Sequence, residues 1–205
     1  MIYLILTTSL LNQYGSSVHR ETQYQTAISE TLSHLPESIQ PIIVENNGMR
    51  TTFLEQFIHS ARPVPVLYTD HNERKASKGV KELLDIQSVI RNYGIQNNDM
   101  VIKVTGRYRV TSPLFFHEVM QSPHDAFIKF YGVSTQRFDP NESVLGLYAM
   151  RAYLLLLWHS GSIDLFSSAE VAFARYATRS CSLIKEMQHL GMTCVFAENG
   201  QELAV

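Results

Sequence analysis

Three short stretches carry residue types that could do chemistry together. In the first, Val101 to Val110 (VIKVTGRYRV), an apolar run ends in Thr105, Gly106, Arg107, Tyr108 and Arg109. An arginine presents a planar fork of donors matched to paired phosphate oxygens. Thr105 and Gly106 keep the backbone open beside it. In the second, Lys75 to Glu82 (KASKGVKE), Lys78 and Gly79 fall at a helix start. Orphan backbone N–H groups and the helix dipole favour an anion there. Gly79 lets a ligand approach the backbone, and Lys78 adds a point charge. The sum is a small cationic pocket of the kind a diphosphate needs. The competing reading pairs Arg107 or Arg109 with Glu82, Asp85 or Asp99 to hold the fold, and leaves Lys78 on a solvated helix start. The third stretch, SIDLFSSAEVAFARY, carries Asp164, Glu170 and Arg175. Glu170 falls in the first turn of a helix capped by Ser167 or Ser168, where the dipole keeps a carboxylate ionised. Such a carboxylate at a pocket rim can act as a general base; the alternative is plain capping.

Composition narrows the classes of function. The chain has 205 residues and a formal net charge of −2, with a pI near 6.4. No global field recruits nucleic acid or an anionic membrane, so any anion site is local. A chain of this length buries roughly 70% of its unfolded surface without a disulfide or structural metal. Cys181 and Cys194 have no histidine pattern around them that would make a zinc site, and they read as reduced thiols of a cytoplasmic protein. The opening MIYLILTTSLLNQYG lacks a cationic leader region and reads as a strand. Ala152 to Trp158 (AYLLLLW) is too short to span a bilayer, so no transmembrane segment is expected. There is no Gly-rich dinucleotide fingerprint, P-loop, Gly-x-Ser-x-Gly elbow or His-Glu-x-x-His. Dehydrogenase, ATPase, serine hydrolase and zinc protease are disfavoured.

The elements that must position these residues alternate along the first half. Strands are expected at Ile2 to Leu6, Ile42 to Val44, Val64 to Tyr68 and Met100 to Val104. Helices are expected at Glu21 to Leu35, Thr52 to His59, and Lys78 to Tyr93 behind an N-cap at Ser77. Apolar, non-alternating strands between helices predict a mostly parallel sheet covered on both faces. Ligands of such sheets sit outside the carboxyl ends of the strands. Those ends carry Thr7, Thr8 and Ser9; Asn46 and Asn47; Asp70; and Thr105, Gly106 and Arg107. The second half predicts helices at Pro113 to Met120, Arg151 to His159, Ser168 to Arg179 and Leu183 to Leu190. It predicts strands at Ala126 to Tyr131, Leu145 to Ala149 (antiparallel) and Cys194 to Ala197. No linker is visible, so a single α/β domain is expected, with residues 1–110 as a nucleotide-binding half and 111–205 as an acceptor or catalytic half. The chain is also compatible with being one part of a longer multidomain protein.

This pattern resembles glycosyltransferases of the GT-A fold, a Rossmann-related class. The likeness rests on TTS after the first strand, ENNG after the second and TD after the third. KG opening the next helix, IKVTGRY and the late AEVAFARY extend it. It is most similar to the small glycosyltransferase-like proteins of bacterial glycan clusters and large DNA viruses. The resemblance implies a hexosyltransferase-like enzyme that moves a sugar from a nucleoside-diphosphate donor, UDP-linked by the family's habit, to a hydroxyl of a glycan or glycoprotein. It places Thr7, Thr8, Ser9 and Arg20 at the nucleoside, Asn46 and Asn47 at the base or ribose, and Asp70 beside them. Lys78 and Gly79 lie near the sugar or phosphates. Glu170, followed by Arg175, matches the late acidic residue of inverting members.

The sequence departs from the family in one place. Members carry Asp-x-Asp at the end of the fourth strand to bind Mn²⁺ or Mg²⁺. Here the position reads Thr105-Gly106-Arg107, and no Asp-x-Asp occurs in the chain. Either Arg107, with Lys78 and Lys103 or Arg109, supplies the counter-charge, or a metal is held by the diphosphate with Asp70 or another carboxylate. A non-catalytic sugar-nucleotide binder or scaffold is the alternative class. A sugar-1-phosphate nucleotidyltransferase fits less well, since the loop after the first strand is not Gly-rich.

Overall fold

The opening apolar run forms the middle of a sheet. It is β1, Ile2–Thr8, and its residues from Tyr3 to Thr8 are buried. The structure, a computed structural model, describes residues 1–11, 17–48, 51–73, 76–132, 135–166, 168–195 and 202–205. Next in order are α1 (Ser17–His34), β2 (Gln40–Glu45), β3 (Ile58–His59), β4 (Arg62–Pro63), β5 (Val66–Tyr68), α2 (Lys78–Asn92) and β6 (Met100–Thr105). Then come β7 (Arg109–Val110), α3 (Leu114–Gln121), β8 (Ala126–Ile128), β9 (Leu147–Arg151), α4 (Ala152–Leu157) and α5 (Ala169–Ser180). The chain closes with β10 (Ile184–Glu186), β11 (Met192–Val195) and β12 (Glu202–Ala204).

Seven strands form one sheet in the order β10-β8-β9-β6-β1-β2-β5. All run in one direction except β9, which is antiparallel to both β6 and β8. On one face α1 and α3 contribute Tyr24, Ile28, Phe115 and Phe116 to the core. On the other face α2, α4 and α5 contribute Leu83, Ile86, Leu155 and Phe173. This is the mixed α/β single domain expected, with a mostly parallel sheet between two helical layers. The chain passes from β1 to β2 through α1 on one face, and from β5 to β6 through α2 on the other. The strand order therefore reverses at β1, the position where a crevice opens in such sheets. Thr7 lies opposite Val44 on β2 and Thr105 on β6, so the three central strands end together. A smaller antiparallel sheet, β12-β11-β7, stands beside those ends.

Two expected helices are strands or turns instead. Thr52 to His59 is a 3-10 turn, Phe53–Gln56, followed by the β3–β4 hairpin. Ser60 and Ala61 adopt positive φ at its tip, which reverses the chain where a helix would continue. Leu183 to Leu190 contains β10, whose Ile184–Glu186 pair in parallel with Ala126–Ile128. Its apolar residues have helical spacing, but β8 offers an open edge that satisfies the backbone of an extended segment. The last expected strand begins two residues early, as β11, and its Phe196 and Ala197 lie outside the described residues. Both cysteines are free thiols. Among the described residues no helix is long and apolar enough to cross a membrane.

Candidate functional site

A cleft of about 840 Å³ opens at the carboxyl ends of β1, β2 and β6, roofed by the starts of α2 and α5. Along β1, alternation sends successive side chains to opposite faces. Thr7 faces α2, and its hydroxyl donates to Glu82 at 2.6 Å. Thr8 faces away, with its hydroxyl 2.7 Å from Glu45. Glu45 is fully buried and also accepts from the amides of Leu10 and Asn47, so it ties the loop after β1 to the loop after β2. Burial raises its carboxyl above the ordinary value, and these hydrogen bonds partly offset the rise. Arg20 donates to the Ser9 carbonyl at 2.8 Å, and Tyr24 hydroxyl accepts from the Ser9 amide at 3.0 Å. Both shape the loop after β1.

At the end of β2, Asn46 donates through Nδ2 to Asp85 Oδ2 at 2.9 Å. Asp85 Oδ1 accepts from the Thr69 hydroxyl at 2.6 Å and meets His71 Nδ1 at 2.7 Å. Burial raises the Asp85 carboxyl, and those three partners pull it back.

At the end of β6 the chemistry is cationic. Lys103 is fully buried. Its three protons have three acceptors: Leu145 carbonyl at 2.6 Å, Thr105 hydroxyl at 2.7 Å and Glu82 at 2.8 Å. Burial lowers its pKa, while Glu82 and Glu170 oppose the fall. Gly106 hands its amide to the Thr7 carbonyl at 2.9 Å. A Cβ there would stand 2.9 Å from Thr8 Cγ2, so glycine lets β6 close on β1. Arg107 reaches the cleft with one Nη1 hydrogen bond, to the Val195 carbonyl at 2.9 Å. Beneath it lie Tyr108 and Cys194, whose hydroxyl and thiol burial pushes up to about 12 in each case. A thiol in that state is not a nucleophile.

The two helix starts meet. Ser77 caps α2 by accepting from the Val80 amide, and Ser168 caps α5 by accepting from the Val171 amide. A Cβ on Gly79 would lie 2.4 Å from Ala169 Cβ. Gly79 thus serves contact between two helices; the expected close approach of a ligand over it is taken by Ala169. Phe173, packed 4.4 Å from Tyr148 and 5.2 Å from Trp158, anchors α5 and sets the direction of its first turn.

Of the residues expected from sequence, Thr7, Thr8, Ser9, Arg20, Asn46, Lys78, Gly79, Thr105, Arg107 and Glu170 line the cleft. Asn47, Asp70 and Gly106 do not: Asn47 bonds Glu45, Asp70 is exposed, and Gly106 is packed under β1. The side chain of Asp164 lies outside the described residues. Arg109 points elsewhere, pairing with Glu202 at 3.0 Å. Arg175 is on the outer face of α5, over the Phe166 ring. Glu82, Asp85, Lys81, Tyr108 and Cys194 also line the cleft and were not assigned to it from sequence. Lys78, Lys81, Glu82 and Asp85 fall at helical i, i+3, i+4 and i+7 spacing, a signal sufficient to place them on one face.

No three of His, Cys, Asp and Glu among the described residues gather as a metal-holding group. At the strand end where the resemblance puts an acidic pair, the side chains are Thr105 and Arg107, with the Lys103 ammonium behind them. Asp70, the expected ligand, does not reach the cleft. The carboxylates that do line the cleft are Glu82, Asp85, Glu142 and Glu170.

No protein-family model matches the chain. A comparison with curated proteins likewise returns no match. Solved structures do resemble it. A putative nucleotide-diphospho-sugar transferase from Desulfovibrio desulfuricans G20 aligns over 91% of this chain and 79% of its own, with a TM-score of 0.56 at 10% identity. The glycosyltransferase GlyE of Streptococcus pneumoniae TIGR4 also gives 0.56, at 8% identity, over 91% of this chain and 45% of its own. Bifunctional IspDF from Campylobacter jejuni gives 0.55 at 11% identity, over 93% of this chain and 50% of its own. At such identities the likeness is one of fold: this chain has the α/β fold of nucleotide-sugar transferases and nucleotidyltransferases.

Proposed function

We propose that this chain is a glycosyltransferase that binds a nucleoside-diphosphate sugar in the cleft at the β1 switch point and passes the sugar to an acceptor hydroxyl. The observation that carries this reading is the gathering of Arg107, the two capped helix starts and Glu170 around one cleft. The nucleoside lies against Thr8, Ser9 and Asn46. The diphosphate lies toward Arg107 and Lys78. As the bond to the anomeric carbon breaks, negative charge grows on the leaving diphosphate. In this reading Arg107 and the positive ends of the α2 and α5 dipoles stabilise it. Lys103 sets the local potential from below, but its protons are spent on Leu145, Thr105 and Glu82. Glu170, at the cleft wall, takes the proton of the attacking hydroxyl if configuration inverts.

Thermal stability with UDP, GDP, CMP and ADP, each in EDTA and in Mn²⁺, tests the reading. A nucleotide at 100 times its dissociation constant adds about 2.7 kcal/mol, or roughly 5–10 °C for a domain of this size. The expected result is a shift with one nucleotide that persists in EDTA and falls to about half or less in Arg107→Ala. A shift that requires Mn²⁺ would sink the arginine-for-metal account. No shift with any nucleotide would leave a non-catalytic scaffold as the better reading. Pyrophosphate release from a nucleoside triphosphate would mark a nucleotidyltransferase instead.

A further inference from the structure

Hydrogen bonding divides the polar groups of the inner cleft into spent and unspent. Glu82 is both at once. Its Oε1 accepts from the Thr7 hydroxyl at 2.6 Å and meets the Lys103 ammonium at 2.8 Å. Its Oε2 has no partner among the described residues and is not sealed off. Glu82 lines the cleft with 28% of its side chain exposed, so the open oxygen is offered there. Tyr108 carries the second unspent atom. Its ring is clamped: a Cβ on Gly146 would stand 2.6 Å from Tyr108 Cδ2, and the Arg107 guanidinium carbon lies 5.5 Å from the ring centre. Its hydroxyl is bonded to no described residue and is likewise open to solvent. The groups whose charges act on that hydroxyl are Cys194, Arg107, Glu82 and Glu170, and all four line the same cleft. A carboxylate oxygen only accepts, whereas a phenol held at about 12 by burial stays a donor at neutral pH.

We infer that Glu82 Oε2 and the Tyr108 hydroxyl hold the sugar of the donor, so that the inner cleft selects a sugar presenting free hydroxyls at those two contacts. Glu82 stands one helical turn after Lys78 on α2, and Tyr108 follows Arg107 in the chain. Lys78 and Arg107 are the cations the proposed function gives to the diphosphate, so the group bonded to the diphosphate is the one that meets their neighbours. A phosphate does not suit the place itself, because Glu82 Oε2 offers no proton and repels an anion. A sugar hydroxyl can donate to Glu82 and accept from Tyr108. A missing or acylated hydroxyl leaves one of the two atoms unpaired once water is expelled, at a cost in affinity. This inference rests on the glycosyltransferase reading and places the part of the donor which that reading leaves unassigned.

Calorimetry on wild type, Tyr108→Phe, Glu82→Gln and Arg107→Ala decides it. The paired probes are UDP with UDP-glucose, UDP with UDP-galactose, and GDP with GDP-mannose. The readout, for a pair whose nucleotide sugar binds, is the dissociation constant of the nucleotide divided by that of the nucleotide sugar. Tyr108→Phe is expected to lower this ratio about 3- to 10-fold and to leave affinity for the nucleotide alone unchanged. Glu82→Gln keeps an oxygen for Thr7 and Lys103 but replaces a charged acceptor by a neutral group. Its ratio is expected to fall by a similar factor of about 3- to 10-fold. Arg107→Ala should weaken both members of a pair and leave the ratio as it was. A structural role for Tyr108 would instead weaken both members together. If Glu82→Gln does not fold, Tyr108→Phe still decides, since its ring keeps the packing on Gly146. An unchanged ratio in either folded variant overturns the inference. So does a wild type that binds a nucleotide but none of the nucleotide sugars. Failure of wild type to bind any of these probes is a different result: it removes the glycosyltransferase reading and this inference with it.

Discussion

The floor and the rim of the cleft both carry cations, and they use them in opposite ways. On the floor, Lys103 is sealed from solvent and gives each proton to a protein acceptor. At the rim, Arg107 is partly exposed and spends one Nη1 hydrogen bond on Val195. A fully enclosed charge must be satisfied by the fold itself, because water cannot reach it. A charge at an opening can stay partly unsatisfied until a ligand arrives. On the proposed reading Lys103 belongs to the architecture and Arg107 to binding, although the two lie only four positions apart in the chain.

Breaking the floor has the largest expected effect. Lys103→Ala leaves Glu82 without its cation and opens a void under β9. Loss of one partner from a buried pair costs about 3–5 kcal/mol, read as a fall of about 10 °C in melting temperature. A stable Lys103→Ala protein would mean the floor is not structural. Breaking the rim leaves the fold nearly untouched: Arg107→Ala should change stability by less than about 1 kcal/mol and weaken nucleotide binding about 10- to 100-fold. The contrast between the two variants is the test, since a shared role would move both readouts together.

Gly79→Ala probes the seam where the two helix starts meet. The added methyl would stand 2.4 Å from Ala169 Cβ. Overpacking of about 1–3 kcal/mol exceeds the gain in helix propensity, so a net loss of about 1 kcal/mol by chemical denaturation is expected. A gain in stability would show that α5 yields freely. The smallest effect concerns pH. The Glu45 carboxyl is raised in the folded chain, chiefly by burial. A raised carboxyl contributes stability that is present below its unfolded value, near pH 4, and is lost as pH rises through the folded value. Glu45→Gln should therefore flatten the decline in unfolding free energy above about pH 4. An identical pH slope in the variant would show that Glu45 does not set it.

Much of the fold was legible because its signals are local. Continuous apolar runs marked β1, β2 and β6, and the Ser77 and Ser168 caps marked the starts of α2 and α5. From strand ends alone, the position of Thr7, Thr8, Asn46, Thr105 and Arg107 around one opening was inferable, because a parallel sheet brings all its carboxyl ends to one side. The helix expected at Leu183 to Leu190 failed where local spacing met a distant partner. Its apolar positions suit a helix, but the open edge of β8 claimed the segment.

By itself, the sequence determined the central strands β1, β2 and β6, the helices α1 and α2, the mostly parallel sheet, the weak net charge and the lack of an acidic pair at the end of β6. Those follow from periodicity, residue type and count, which act within a few residues. Only the tertiary structure decided that Lys103 is consumed by Glu82, that Gly79 faces Ala169, that Arg109 turns to Glu202, and that Asp85 holds Asn46. Each of these pairs joins residues 21 to 93 positions apart along the chain. Which groups satisfy one another across such distances depends on packing geometry, and no local pattern encodes it.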